Sequence, residues 1–198
     1  MILASASARR AELLQAAGIN FRQSAVPHEE AIDELYLAAL KHQDSLTAAK
    51  TAIRSVAEDK YRAAQEYLRQ EDSILTADTI VFFEGEILGK PLDMSEARQM
   101  IRMIAGQEHQ VLTAVCLGMA GEYESFVVES SVRFHPYDHD PVRLERYFLS
   151  GRALQYAGAY GIQDPDFPLV ADLTGSLTNV IGLPMEETLK RIERLISP

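Results

Sequence analysis

Cysteine is nearly absent from the chain: Cys116 stands alone. A lone thiol excludes a disulfide framework and any cysteine-rich zinc site. Cations are scarce too. Lys+Arg total 19 against Asp+Glu 29, a formal charge of −10, which argues against a general nucleic-acid binder and against a protein that adheres to anionic membranes. No apolar run approaches the roughly 20 residues of a membrane span. The apolar start, residues 1–8, is cut off by Arg9 and Arg10, too early for a signal peptide. We therefore expect a soluble, cytoplasmic protein with neither nucleic acid nor membrane as partner. Also missing are a GxxxxGK[ST] loop, a GxGxxG turn, a GxSxG elbow and an HExxH pair. The five histidines show no paired ligand spacing. No Pro/Gly/Ser-rich linker, internal repeat or low-complexity stretch divides the 198 residues, so one domain spanning 1–198 is expected.

What is present is ordinary globular material, 47% apolar and 24% charged, in a chain long enough to bury a core without staples. Residues 1–4 read as a short strand, followed by small residues and a helix with Ser7 as N-cap, Leu13, Leu14 and Ala17 on its apolar face, and Gly18 as its stop. Residues 21–26 read as a second strand. Residues 34–70 are helical in character, with an interruption near Asp44 and Ser45. Residues 73–83 are apolar almost throughout, as in a strand covered on both faces, and Gly85 turns the chain into a short return strand. Asp93 and Glu96 form a capping box for the next helix. Val111, Thr113, Val115, Leu117 and Met119 alternate like one face of a strand, paired through a hairpin with residues 123–134. Short and long helices follow at 143–149 and 185–196. Strand–helix–strand units beside hairpins predict an α/β or α+β architecture around a mixed sheet.

Several segments could carry chemistry. In Ser5-Ala6-Ser7-Ala8-Arg9-Arg10 a strand gives way to a helix start. Such a turn is either a natural anion site, through free N–H groups, hydroxyls and guanidinium groups, or a plain N-cap with two surface arginines. Asp78 interrupts an apolar strand. A carboxylate there needs a metal, a cation or several donors; pairing with an arginine or capping a neighbouring turn is the bland alternative. Glu29 and Glu30 are either solvated or, beside Asp78, oxygen ligands for a divalent cation. Lys90, held extended by Pro91, and Lys60 on the long helix read alone as surface lysines. In Ala157-Gly158-Ala159-Tyr160-Gly161-Ile162-Gln163 the small residues allow close backbone approach, and Gln163 offers a donor and an acceptor suited to a base edge; a tight loop against the core is the alternative. Cys116 reads as a small core residue.

Taken in order, these segments resemble the Maf family of nucleoside triphosphate pyrophosphatases. The likeness runs from Ile2-Leu3-Ala4-Ser5-Ala6-Ser7-Ala8-Arg9-Arg10 through Ala77-Asp78-Thr79-Ile80-Val81, Gly89-Lys90-Pro91 and Gly106-Gln107-Glu108-His109-Gln110-Val111. It ends at Ala157 to Gln163 and Asn179-Val180-Ile181-Gly182-Leu183-Pro184. The resemblance implies a two-lobed mixed β-sheet with flanking helices, like that of inosine-triphosphate pyrophosphatases, with the active-site cleft between the lobes. It implies hydrolysis between the α and β phosphates of a nucleotide, giving the monophosphate and pyrophosphate, with a divalent metal cation, Mg or Mn. By the same resemblance Asp78 is the general base and, with Glu30, a metal ligand. Ser5, Ser7, Arg9, Arg10, Lys60, Thr79, Lys90 and Gln163 bind substrate, and Arg9, Thr79 and Gln163 are tied to base choice. That set is similar to the branch acting on dTTP and UTP; the branch acting on 7-methyl-GTP, and a non-catalytic nucleotide-binding regulator of cell division, are the alternatives. Family members often pair as homodimers. Ala8 replaces a common proline, and Pro27-His28-Glu29-Glu30 stands where V-D-E is frequent.

Overall fold

The computed structural model describes residues 1–26, 32–67, 72–119 and 121–196. Residues 1–18 already show why the elements form where they do. Strand β1 is only Ile2–Leu3, and helix α1 covers Ala8–Ala16. Ser7 caps that helix, its hydroxyl accepting from the Arg10 amide, and Gly18 ends it with φ +72. Leu14 is the fully buried residue of α1, whereas Ala17, expected on its apolar face, is exposed. Strand β2 shrinks to Arg22–Gln23, and the helical stretch is interrupted before Ser45, as expected, giving helices α2 (Ile32–Ala39) and α3 (Ser45–Tyr67). The break between them is local chemistry: Asp44 Oδ1 accepts from the Thr47 amide at 3.0 Å, which starts α3 afresh.

Strand β3 (Ile74–Phe83) is followed by β4 (Glu86–Leu88), then helix α4 (Met94–Ile104), strands β5 (Glu108–Met119) and β6 (Glu122–Phe134), and helix α5 (Pro141–Leu149). The expected box at α4 is present in altered form. Asp93 Oδ1 accepts from the Glu96 amide at 2.9 Å, while Glu96 reaches one residue further back, to the Leu92 amide. Short 3-10 turns at Arg152–Gln155 and Ala157–Ala159, strand β7 (Val170–Thr174), helix α6 (Leu177–Ile181) and helix α7 (Met185–Ile196) complete the order. The strands hydrogen-bond as β2-β1-β3-β5-β6-β7, with β4 also on β3. β1 pairs in parallel with β2 and β3, and β3–β4 and β6–β7 are antiparallel, so the sheet is mixed as expected. β5 departs from the alternation read in its sequence: residues 111–118 are all buried. It lies between β3 and β6, and a strand inside a sheet with both faces covered has no polar face to show.

The chain gathers into two compact units. The first comprises Met1–Thr79, Thr113–Val128 and Gly182–Pro198; its core includes Leu3, Leu14, Leu75, Val115, Leu183 and Ile192. The second comprises Ile80–Leu112 and Glu129–Ile181, around Phe83, Ile101, Val132, Phe134, Tyr147 and Leu169. Each such side chain contributes about 1.5–3 kcal/mol when fully removed from water. Among the described residues no helix is long and apolar enough to cross a membrane.

Candidate active site

In the first unit the turn between β1 and α1 is tied down by its own side chains. The Ser7 amide donates to Ser5 Oγ at 3.2 Å, and Gln23 Nε2 donates to the Ser5 carbonyl at 2.9 Å. Arg10 turns its guanidinium inward. Its Nε donates to the Gly182 carbonyl at 2.8 Å, Nη1 to Ser5 Oγ at 3.2 Å and Nη2 to Thr79 Oγ1 at 3.2 Å. Gly182 suits this position by its backbone rather than by space: φ is +126, whereas a Cβ there would make only ordinary contacts, 3.5 Å from Thr79 Oγ1 and 3.8 Å from Arg10 Nε. Arg9 sits half-buried in the first turn of α1, with its Nε buried. Of the two readings open for this turn, the N-cap at Ser7 is present, and Arg10 serves as a tie between three parts of the unit.

Asp78 lies in the middle of β3, and its Oδ1 accepts from Lys60 Nζ at 2.9 Å, each side chain 16% exposed. The pairing follows from two periodicities. Thr76 and Asp78 are two apart on a strand and share a face, about 7 Å apart. Ala57 and Lys60 are three apart on α3 and share a helix face, about 4.5 Å apart along the axis. The buried Thr76 hydroxyl donates to the Ala57 carbonyl at 2.7 Å, and this clamp brings Lys60 alongside Asp78. The carboxylate that interrupts the apolar strand thus meets a lysine, where the sequence suggested an arginine as the bland partner. Thr79, the next residue, has its Oγ1 3.0 Å from Thr113 Oγ1. Thr113 reads in the sequence as one more inward position of β5; a hydroxyl among Val111, Val115 and Leu117 is the only signal that could have marked it.

In the second unit β4 runs back along β3 in the register Phe83↔Glu86, Phe82↔Ile87, Val81↔Leu88. Lys90 follows, exposed, with Pro91 buried behind it. The Gly158 amide donates to the Gly89 carbonyl at 3.0 Å, which joins the Gly-Lys-Pro turn to the segment that leads to Gln163. Only glycine fits at 158: φ is +63 and a Cβ would lie 2.8 Å from Val81 Cγ2. Beyond it the Ala159 carbonyl accepts from Tyr147 Oη at 3.1 Å, and Tyr160 Oη meets His109 Nε2 at 2.9 Å. The Asp164 amide donates to the Gly161 carbonyl at 2.9 Å, closing a turn that leaves Gln163 exposed. The loop thus packs against the core, as one of the two alternatives had it, and the Gln163 side chain is exposed.

Two groups are removed from the chemistry by burial. His109 is pushed down to about 3, so its ring is neutral and it is no proton donor near neutrality. The Cys116 thiol is pushed up to about 12, chiefly by burial, which makes it the inert core residue expected. Glu30 and Glu29 lie outside the described residues. Among the described residues there is no group of three or more His, Cys, Asp or Glu side chains able to hold a metal alone. A hard cation shared with a triphosphate asks less of the protein: one or two carboxylates, with phosphate oxygens and water completing the shell. Asp78 is a donor of that kind.

A family profile described as Maf-like protein matches residues 1–195. Three curated relatives carry the name dTTP/UTP pyrophosphatase. That of Halalkalibacterium halodurans is 38% identical over 195 residues, covering 98% of this chain and 94% of its own. That of Alcanivorax borkumensis is 37% identical over 193 residues, with the same shares covered, 98% and 94%. That of Dechloromonas aromatica is 35% identical over 199 residues, covering 98% of this chain and 96% of its own.

Proposed function

This chain belongs to the Maf-like protein family, and on that footing we propose that it is a pyrophosphatase that hydrolyses dTTP and UTP to the monophosphate and pyrophosphate. The observation that carries the reading lies within one unit. Asp78, paired with Lys60, is followed directly by Thr79, which Arg10 ties to the serine-lined turn at the start of α1. A carboxylate for water and a cationic, hydroxyl-rich turn for phosphate oxygens are thereby linked through a few hydrogen bonds.

A divalent cation, magnesium or manganese, would be held by Asp78 and Glu30, and when bound it offsets the charge of the triphosphate and lowers the pKa of water. The residues of the chain do the rest. Asp78 orients a water and takes its proton as it attacks the α phosphorus. Lys60, donating to its Oδ1 at 2.9 Å, holds the Asp78 side chain in place. The hydroxyls of Ser5 and Ser7, the guanidinium of Arg9 and the ammonium of Lys90 receive phosphate charge, which builds up on the departing pyrophosphate. Arg10 contributes cationic charge to the same turn while bracing it. Thr79 and Gln163 contact the pyrimidine, Gln163 with both halves of its amide.

Pyrophosphate release, measured over dTTP, UTP, CTP and 7-methyl-GTP with magnesium or manganese, tests the assignment. dTTP and UTP should be the best substrates. Preference for 7-methyl-GTP would move the chain to the other branch, and binding without release would make it a nucleotide sensor. Asp78→Asn should lower turnover at least about 100-fold, the usual size of a general-base contribution. Near-normal turnover in that variant would remove Asp78 from the role.

A further inference from the structure

Thr113 lies on β5 with 0% exposure and so offers no surface to a ligand. Its Oγ1 is nevertheless 3.0 Å from Thr79 Oγ1, and Thr79 Oγ1 also accepts from Arg10 Nη2 at 3.2 Å. A hydroxyl has one proton and two lone pairs. Arginine can only donate, so Arg10 fills one lone pair. The contact with Thr113 takes either the other lone pair or the proton. In each case one hydrogen-bonding role is left for a ligand, donor or acceptor but not both.

We propose that Thr113 is a positioning residue that sets pyrimidine selectivity by confining the Thr79 hydroxyl to a single role. The inference rests on the reading of Thr79 as a base contact and extends it. Uracil presents a carbonyl at C4 and an N–H at N3; cytosine presents an amino group at C4 and a bare nitrogen at N3. The two patterns are inverted at both positions. A hydroxyl with one permitted role matches one base and opposes the other, leaving an unpaired group, which is how polar sites reject close analogues. A hydroxyl free to rotate serves both. Arg10 alone leaves that freedom, because a proton and a lone pair remain; Thr113 removes it.

The test compares kcat/KM for UTP and CTP by pyrophosphate release in the wild-type protein, Thr113→Val, Thr113→Ser, Thr79→Val and the double variant Thr79→Val/Thr113→Val. Valine copies the shape of threonine without the hydroxyl. Thr113→Val should lower the UTP-over-CTP ratio about five- to tenfold, the worth of one hydrogen bond made or refused. Thr113→Ser, which keeps the hydroxyl, should hold the wild-type ratio. In the double variant the Thr113 change should add nothing to that of Thr79→Val, since it acts through that hydroxyl. A ratio lowered by Thr79→Val but untouched by Thr113→Val overturns this inference alone, as do additive effects in the double variant. A ratio untouched by Thr79→Val removes the base contact and the inference with it, while the pyrophosphatase reading survives on turnover of UTP. Thermal melting checks each variant. If Thr113→Val does not fold, Thr113→Cys, of similar size with only a weak thiol donor, takes its place in the comparison.

Discussion

Buried polar side chains in this protein differ in how far they can be read one residue at a time. Asp78 is legible because a carboxylate in an apolar strand must be compensated. Its partner Lys60 is not, because the match depends on how α3 docks through Thr76 and Ala57. Thr113 is silent, since threonine is at home in any strand. His109 shows the energetic side of the same problem. It is fully buried, with Tyr160 Oη on Nε2 at 2.9 Å and the rings of Phe134 and Tyr160 edge-on at 4.7 and 5.4 Å. Burial lowers it from the ordinary 6.5 to about 3. Between those values the unfolded chain binds a proton that the folded one refuses. Stability is therefore fully present above about pH 6.5 and is lost as pH falls towards 3, by at most about 1.4 kcal/mol per pH unit. Urea unfolding of the wild-type protein and His109→Gln at pH 7 and pH 5 isolates this group from the carboxylates. The wild-type protein should lose roughly 2 kcal/mol more than the variant over that interval. Equal losses would mean that His109 takes up its proton without unfolding.

At the scale of elements, what was legible had a local cause. The caps at Ser7, Asp93 and the break at Asp44 are side chains bonding to amides three residues on, and sequence shows such spacing directly. β7 and α6 were not legible. β7 is held by pairing Ser131↔Thr174, Val132↔Leu173 and Arg133↔Asp172 with β6, contacts far apart in the chain, and its sequence includes Asp172, which strands disfavour. The short β2, likewise, exists where β1 offers partners, at Arg22 and Gln23, and ends where they end. The segment before Gln163 joins both kinds of cause, since Gly158 supplies a local conformation that a distant strand then enforces. Gly158→Ala should cost about 2–4 kcal/mol, summing left-handed backbone strain and the clash with Val81. Gly121→Ala is the control: φ is +89 there but nothing lies within 4 Å of the added Cβ, so about 1 kcal/mol is expected. Chemical denaturation of the two variants separates strain from contact, and equal losses would show that the Val81 approach has no energetic weight.

For the whole molecule, the family is legible because its segments keep their order from Ile2 to Pro184, whereas the division into two units, each assembled from separated stretches of chain, has no linker to announce it. The charge is legible at once and bears on function at this scale only. A body of formal charge −10 repels a triphosphate at long range, and the arginines and lysines named above attract it at short range. Salt separates the two because it sets the reach of each: the Debye length is about 30 Å at 0.01 M, about 8 Å at 0.15 M and about 3 Å at 1 M. At the lowest salt the substrate senses the whole acidic surface and arrives slowly. Near 0.15 M the distant carboxylates are screened while cations within a few ångströms of the phosphates still act. At 1 M those contacts weaken as well. With the divalent cation held constant, kcat/KM for UTP should therefore rise from 0.01 M to about 0.15 M salt and fall again towards 1 M. A monotonic decline from the lowest salt would mean that the local cations govern the approach at every distance and that the net charge has no part in substrate capture.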